Sequence, residues 1–137
     1  MPVIVYSAYE QTQLTALAGQ FPDLAGPIIA IINRLADLLP VVRGAVYFPD
    51  FSFSNSIKAV APSLSPEFGY DDLADIADGV AASAAFAQMA SGAIADPADV
   101  ARLRGALLAY CQRDTLAMVE VHRALVQLLQ SWPSGSP

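Results

Sequence analysis

One carboxylate, Asp114, stands where an acid is least expected. It lies in a helix that opens at Asp96-Pro97. On a wheel of about 100° per residue, Val100, Leu103, Leu107, Tyr110, Met118, Val121, Leu125 and Leu128 fall within about 40° of it. Arg102, Gln112, Arg113, Glu120, Arg123, Gln127 and Gln130 fall on the other side. The apolar stripe is clean except for this acid, and Tyr110 precedes it by one turn on the same face. An ionised carboxylate among apolar groups is costly unless something compensates it. Protonation, a basic partner or a metal ion would do so. A basic partner would have to be Arg34, Arg43 or Lys58, because the other arginines ride on the same helix and mostly face away. A structural ion pair or a helix-to-loop hydrogen bond, and a functional acid, are both open readings of Asp114.

Glu10 is the second candidate. Ser7-Ala8-Tyr9-Glu10 has the form of a capping box, with Ser7 as N-cap and Glu10 reaching back to it. An acid just after a buried strand is also where open α/β sheets place their sites. The two readings are compatible. The other chemistry-bearing residues give weaker signals. His122 is the only histidine, about 80° off the stripe, and one histidine makes no metal site by itself. Cys111 is the only cysteine and reads as a small core residue. Asp71, Asp72, Asp75 and Asp78 lack the glycine and terminal glutamate of a calcium loop and read as a solvated surface. No Gly-rich phosphate loop and no G-x-S-x-G elbow is present.

The elements that must hold these residues belong to one domain. The 137 residues suffice for a single core. The hydrophobic fraction of 55% is high and the charged fraction of 15% is low. Such a chain carries more apolar surface than it can bury alone, which suggests a partner. A net charge of −6 argues against a nucleic-acid coat protein but not against a metal-dependent nuclease, which gathers acids. A lone cysteine and no signal-like N-terminus suggest the cytoplasm. The uncharged run from Gly79 to Ala95 is too short and too weakly apolar to span a bilayer.

Val3–Tyr6 reads as a buried strand, followed by a helix to about Gln20. Phe21-Pro22-Asp23 breaks that helix. A second helix is expected from Asp23 to Leu39, with Leu24, Ile28, Ile31, Ile32, Leu35 and Leu38 in period, ended by Pro40. Ala45–Phe48 is a candidate second strand or extended segment. Ser56–Val60 begins a short helix closed by Pro62, and Tyr70–Ile76 is an acidic helix or turn. Asp78 caps an Ala-rich helix ending near Gly92. Asp96 as N-cap and Pro97 at the first position open the last helix, which runs to Ser131. The domain spans 1–132, and 133–137 is a tail.

The blocks VYSAYE, FPDLAG, DLLPVVRG, YFPDF, SIKAVAPSLSPEFGYDDLA and YCQRDTLAM, in this order, resemble the C-terminal half of an uncharacterised bacterial domain family. That family is predicted to be RNase H-like and related to the proofreading-type (DEDD) 3′–5′ exonucleases. The likeness covers about Val3 to Leu125. It implies a helix-rich α/β fold, a partial RNase H-like exonuclease fold lacking its first strands, with one or two short strands and about four helices. Such enzymes hold two metal ions, Mg²⁺ or Mn²⁺, on four acids. Their Tyr-x-x-x-Asp motif matches Tyr110 to Asp114, so the resemblance makes Asp114 a metal ligand and Tyr110 the group that orients water. The acid after a strand is matched, more loosely, by Glu10, with Ser7 beside it. Lys58 lies in one of the matching blocks. The family carries its Asp-x-Glu strand upstream of the first matching block, and nothing before Val3 supplies it. Phe48 stands where the family tends to have His.

The resemblance therefore implies part of a metal-dependent nuclease domain, incomplete and inactive as this chain, acting on single-stranded nucleic acid when complete. The alternative is a non-catalytic interaction or dimerisation module derived from that fold. Loss of the central strands would leave Val3–Tyr6 with an open edge. The expected partner is a second copy, as a homodimer, or an upstream domain, with no membrane involved.

Overall fold

The β-branched run Val3–Val5 forms strand β1, and Leu35–Asp37 forms strand β2 beside it. In this computed structural model, residues 1–70, 76 and 78–133 are described. The two strands run parallel, with Val3 opposite Leu35, Ile4 opposite Ala36 and Val5 opposite Asp37. A parallel pair needs a long crossover. Helix α1 (Tyr9–Gln20), a 3₁₀ turn at Pro22–Leu24 and helix α2 (Ala25–Ile32) provide it.

Here the structure departs from the expected single helix over 23–39. The Val3 N–H donates to the Arg34 carbonyl at 2.8 Å, and the Leu38 N–H donates to the Val5 carbonyl at 3.0 Å. Pairing with β1 claims Leu35–Asp37, and Asn33-Arg34 becomes the turn. Leu35 and Leu38 satisfy a helical period and equally fit a short strand with its exit, so periodicity could not separate the two. Pro40, expected to end a helix, lies in the first turn of helix α3 (Leu39–Ala45), where its missing N–H costs nothing. Of the two readings of Ala45–Phe48, the strand does not form and an extended segment does. Ala45 closes α3, and Val46 and Phe48 are extended without a strand partner among the described residues.

A 3₁₀ turn at Pro49–Phe51 leads to helix α4 (Ile57–Leu64), which continues past Pro62 by two residues. Proline there removes only one donor, close to the end of the helix. Helix α5 (Gly79–Ala90) starts as expected, with Asp78 Oδ1 accepting the Ala81 N–H at 2.8 Å. Helix α6 (Pro97–Ser131) comes next, and Asp96 Oδ1 accepts the Ala98 N–H at 2.8 Å. The molecule is thus helix-rich α/β with two short parallel strands among the described residues. Six α-helices stand among those residues where about four were expected, partly because the 23–39 segment is divided. Of the acidic helix or turn expected over 70–76, residues 71–75 with their three carboxylates fall outside the described residues, as does the tail from 134. Among the described residues no helix is long and apolar enough to cross a membrane.

The core lies where α6 crosses α4. Ala117, Val121 and Leu125 of α6 pack with Val60 and Ala61 of α4, Val42 of α3, and Phe51. Tyr6 and Leu38 join from the ends of the two strands. By contrast α1 and α2 contain no buried residue, although α2 reads Ala-Gly-Pro-Ile-Ile-Ala-Ile-Ile.

Asp37 ties the two strands to helices α1 and α3. Its Oδ1 accepts the Ser7 N–H at 2.8 Å and the Leu39 N–H at 2.9 Å. One oxygen fixes the β1–α1 connection and serves the first turn of α3. Asp37→Ala leaves both N–H groups without that acceptor and is expected to lower stability by about 1–3 kcal/mol. Asp37→Asn keeps a carbonyl oxygen there and should lose less, as measured by urea unfolding midpoints. Equal losses in the two variants would show that these bonds do not carry the effect.

Candidate functional site

Helix α6 sets Tyr110 and Asp114 one turn apart, so they share a face by helical geometry alone. Tyr110 is buried and Asp114 half-buried. Both sit N-terminal to the part of α6 that enters the main core, and Tyr110 is not part of that cluster. Three other elements close around them. Helix α4 contributes Lys58, whose Nζ lies 4.9 Å from the Tyr110 ring centre and 5.5 Å from that of Tyr70. At these distances an ammonium is attracted to the ring faces. The stretch after α4 contributes Tyr70, held edge-on against Phe68 at 5.4 Å. The start of α5 approaches the phenol, so that a side-chain carbon at Gly79 would lie 3.8 Å from Tyr110 Oη.

Asp114 has no ion pair among the described residues, and its polar neighbours are the phenols of Tyr70, on the stretch after α4, and Tyr110. Arg34 Nε donates to the Met1 carbonyl at 2.9 Å, and Arg43 lies by Tyr6. Lys58 faces the two rings. Arg113, the helix neighbour of Asp114, donates to the Gly69 carbonyl at 2.6 Å. Asp114 Oδ1 and Tyr70 Oη are both buried without a well-formed hydrogen bond among the described residues, although the two groups lie close enough for each to act on the other. An orphaned buried carboxylate oxygen is costly in a folded protein and asks for a ligand.

The phenols respond to this setting. Burial, above all, pushes the Tyr110 hydroxyl up to about 12, and the Asp114 and Asp78 carboxylates add to the effect. Tyr70 is raised further still, again by burial first and by Asp114 second. Both rings therefore stay neutral O–H groups at physiological pH, able to donate toward an anion or a bound water. The cluster combines an ammonium, two protonated phenols and one under-satisfied carboxylate.

Glu10 and Ser7 sit elsewhere, at the β1–α1 connection. The expected capping box does not form. Ser7 has φ 111°, which sends its N–H to Asp37 and is incompatible with the extended backbone of an N-cap. The N-cap moves to Ala8, which supplies no side-chain bond. Glu10 is then the second helical residue instead of the third, and out of reach of the reciprocal bond. The Ser7 hydroxyl accepts the Tyr9 N–H at 3.3 Å instead. Glu10 Oε2, like Asp114 Oδ1, is buried with no hydrogen-bond partner. No hydrogen bond or ion pair joins Glu10 to the Tyr110–Asp114 cluster. Strand β1 does approach α6, since Ile4 lines a small cavity with Thr115, Met118 and His122.

The weaker candidates prove unremarkable. Cys111 is exposed, not a core residue. Its offset from the stripe is enough to turn it outward. His122 is exposed and has no further ligating residues to join. Among the described residues no three His, Cys, Asp or Glu side chains gather to hold a metal ion. Sequence reasoning missed Tyr70 and the action of Asp78 on Tyr110. Asp78 caps α5 as expected, but its charge also reaches the phenol. For Tyr70 the only signal was an isolated aromatic after a turn-rich stretch.

Residues 1–56 match the family described as a domain of unknown function (DUF2779). The match contains Ser7 and Glu10, whereas Lys58, Tyr110 and Asp114 lie beyond it. No curated protein and no solved structure matches the chain.

The raised phenols have a stability consequence of definite sign. Tyr6 is also raised to about 12, by burial first, with Arg43 opposing and Asp37 adding. A free tyrosine ionises near pH 10. The folded state thus binds these protons more tightly than the unfolded state does. Their contribution is complete below about pH 10 and is lost as pH rises toward 12. Phenolate absorbance should show Tyr6 and Tyr110 still largely protonated at about pH 11, with that late-titrating fraction reduced in Tyr110→Phe. Ionisation of every tyrosine near pH 10, without unfolding, would contradict the burial described.

Proposed function

We propose that this chain is part of a metal-dependent 3′–5′ exonuclease-like domain, RNase H-like in ancestry, and inactive in isolation. The observation that carries the reading is that both acids singled out from the sequence, Glu10 and Asp114, keep one buried carboxylate oxygen without a well-formed hydrogen bond among the described residues. Hard carboxylate oxygens of this kind suit Mg²⁺ or Mn²⁺. By the resemblance, Glu10 and Asp114 would each contribute a metal ligand, although no bond joins Glu10 to the Tyr110–Asp114 cluster. A metal pair in such enzymes activates water and stabilises the leaving oxygen. Tyr110 keeps its proton and is placed one turn from Asp114, fit to position a water or a phosphate oxygen. Lys58 brings a positive charge to the same cluster, suited to a nucleic-acid phosphate.

Incompleteness is supported by two features. Among the described residues no three His, Cys, Asp or Glu side chains gather to hold a metal ion. Among the same residues the sheet has two strands of three residues each, whereas parallel strands are ordinarily found within larger, covered sheets. Further strands, from an upstream domain or another molecule, would complete both the sheet and the acid set.

A second reading, a non-catalytic interaction or dimerisation module, is favoured by α2. Its sequence is wholly apolar, yet Ile29 is 49% exposed and Ile31 39%. Such a face is typical of a surface that another protein covers. A second copy is the simplest occupant.

The reading is tested by calorimetric titration with Mn²⁺ in the millimolar range. Weak binding is expected, reduced at least tenfold in Asp114→Asn and in Glu10→Gln. The chain alone should not degrade single-stranded DNA or RNA. Binding unchanged in both variants would remove the metal-site reading, and robust degradation by the isolated chain would remove its incompleteness. Light scattering decides the second reading, for which a dimer that Ile29→Asp dissociates is the expected result.

A further inference from the structure

Helix α6 carries a second row of residues that the described residues leave exposed. Leu108, Thr115, Val119, His122, Val126 and Leu129 follow one another at intervals of seven, four, three, four and three. On the helical wheel they lie within about 50° of one line, about 90° round from Asp114. Intervals of three and four that alternate in this way are the spacing of a helix that packs along another helix. All six residues are exposed, Leu108 by 61% and Leu129 by 77%. The helix buries its neighbouring stripe, at Ala117, Val121 and Leu125, and leaves this row in water. From Leu108 to Leu129 the row is roughly 32 Å long, about three heptads.

The row is complementary to itself when turned end for end. In an antiparallel pair of α6 helices, Leu108 faces the partner's Leu129, Cys111 the partner's Val126, Thr115 the partner's His122, and Met118 the partner's Val119. Each position meets a side chain of matching character, and the arrangement closes on itself, as a two-fold interface requires. At Thr115 polar meets polar. Its hydroxyl donates to the Cys111 carbonyl at 2.9 Å and keeps a lone pair to accept an imidazole N–H. A polar pair in an otherwise apolar seam fixes register. At the middle of the row Met118, Val119 and His122 border a hollow of about 160 Å³, which Ile4 of β1 also lines. It offers a place for a side chain of the partner helix to enter.

Charge favours the same occupant. The protein carries a net charge of −6, yet no Asp or Glu lies on this face between Leu108 and Leu129. Arg104 continues the row at one end, exposed and without an ion pair among the described residues. The antiparallel register sets it beside the C-terminus of the partner's α6. The last turn of α6 has no basic residue of its own, so its free carbonyls and the negative end of its dipole lack a cation.

We propose that this face of α6 binds a second copy of the chain, as an antiparallel helix pair centred on Met118 and Val119. The inference goes beyond the nuclease-like reading and does not involve α2.

Analytical ultracentrifugation of the full chain should show a dimer, retained in Ile29→Asp. Val119→Asp sets two like charges near the two-fold axis and should raise the dissociation constant at least about a hundredfold, with far-UV circular dichroism unchanged. Arg104→Gln should raise it by up to about tenfold, since each dimer loses two helix-end contacts. Cross-linking reads the register, and it decides alone if Val119→Asp perturbs the fold. Under mild oxidation Val126→Cys should form a disulfide with the partner's Cys111, found by mass spectrometry as a peptide pair joining positions 111 and 126. The unaltered chain should form no disulfide, because its two Cys111 residues lie more than about 20 Å apart in this register. A monomer, a dimer indifferent to Val119→Asp, a disulfide between two Cys111 residues, or absence of the 111–126 pair would overturn the proposal. So would a dimer that Ile29→Asp dissociates and Val119→Asp spares, which places the second copy on α2.

Discussion

A helix of 35 residues has an apolar stripe and needs a surface to bury it on. At about 1.5 Å per residue α6 is roughly 50 Å long, far more than the rest of the chain can cover. The remaining elements are arranged by this constraint. Ala117, Val121 and Leu125 take the contact with α4 and with Phe51. Ala117 of α6 and Ala61 of α4, both wholly buried, belong to this same cluster. The ends of α6 are less well served, and Leu129 and Trp132 remain 77% and 71% exposed.

Asp114 sits at the transition between these regimes. One turn further along, the stripe enters the core and any acid would be excluded. At position 114 the surroundings are two phenols and the ammonium of Lys58 above their rings, instead of aliphatic side chains. That polarity tolerates a carboxylate where aliphatic side chains would not. The result is a half-satisfied polar cluster, which is a poor design for stability and a suitable one for binding an ion or a phosphate.

The two-stranded sheet shows the same tension between local preference and the available partners. A pair of three-residue parallel strands contributes little by itself. It persists because Asp37 locks the strand exit to Ser7 and Leu39, and because Tyr6 and Leu38 drop from the strand ends into the core. The α1–α2 crossover is tied at its ends but not buried along its length. An apolar α2 left on the surface is the part of the fold that most needs a neighbour.

Much of this could be read from the residues. Val3–Val5, the breaks at Pro22 and Pro97, the caps Asp78 and Asp96, and the stripe around Asp114 all follow from short-range rules. Backbone sterics, capping bonds and helical period act within a few residues. The division of 23–39 into α2, β2 and α3 could not be read, because it depends on a hydrogen-bonded partner some thirty positions upstream. The same holds at Ser7, where a bond to Asp37 overrides a capping box that looks complete locally. Nor could sequence reveal that Lys58 and Tyr70 surround Asp114 and Tyr110. That juxtaposition is set by how α6 packs across the chain, a long-range choice that no local pattern encodes.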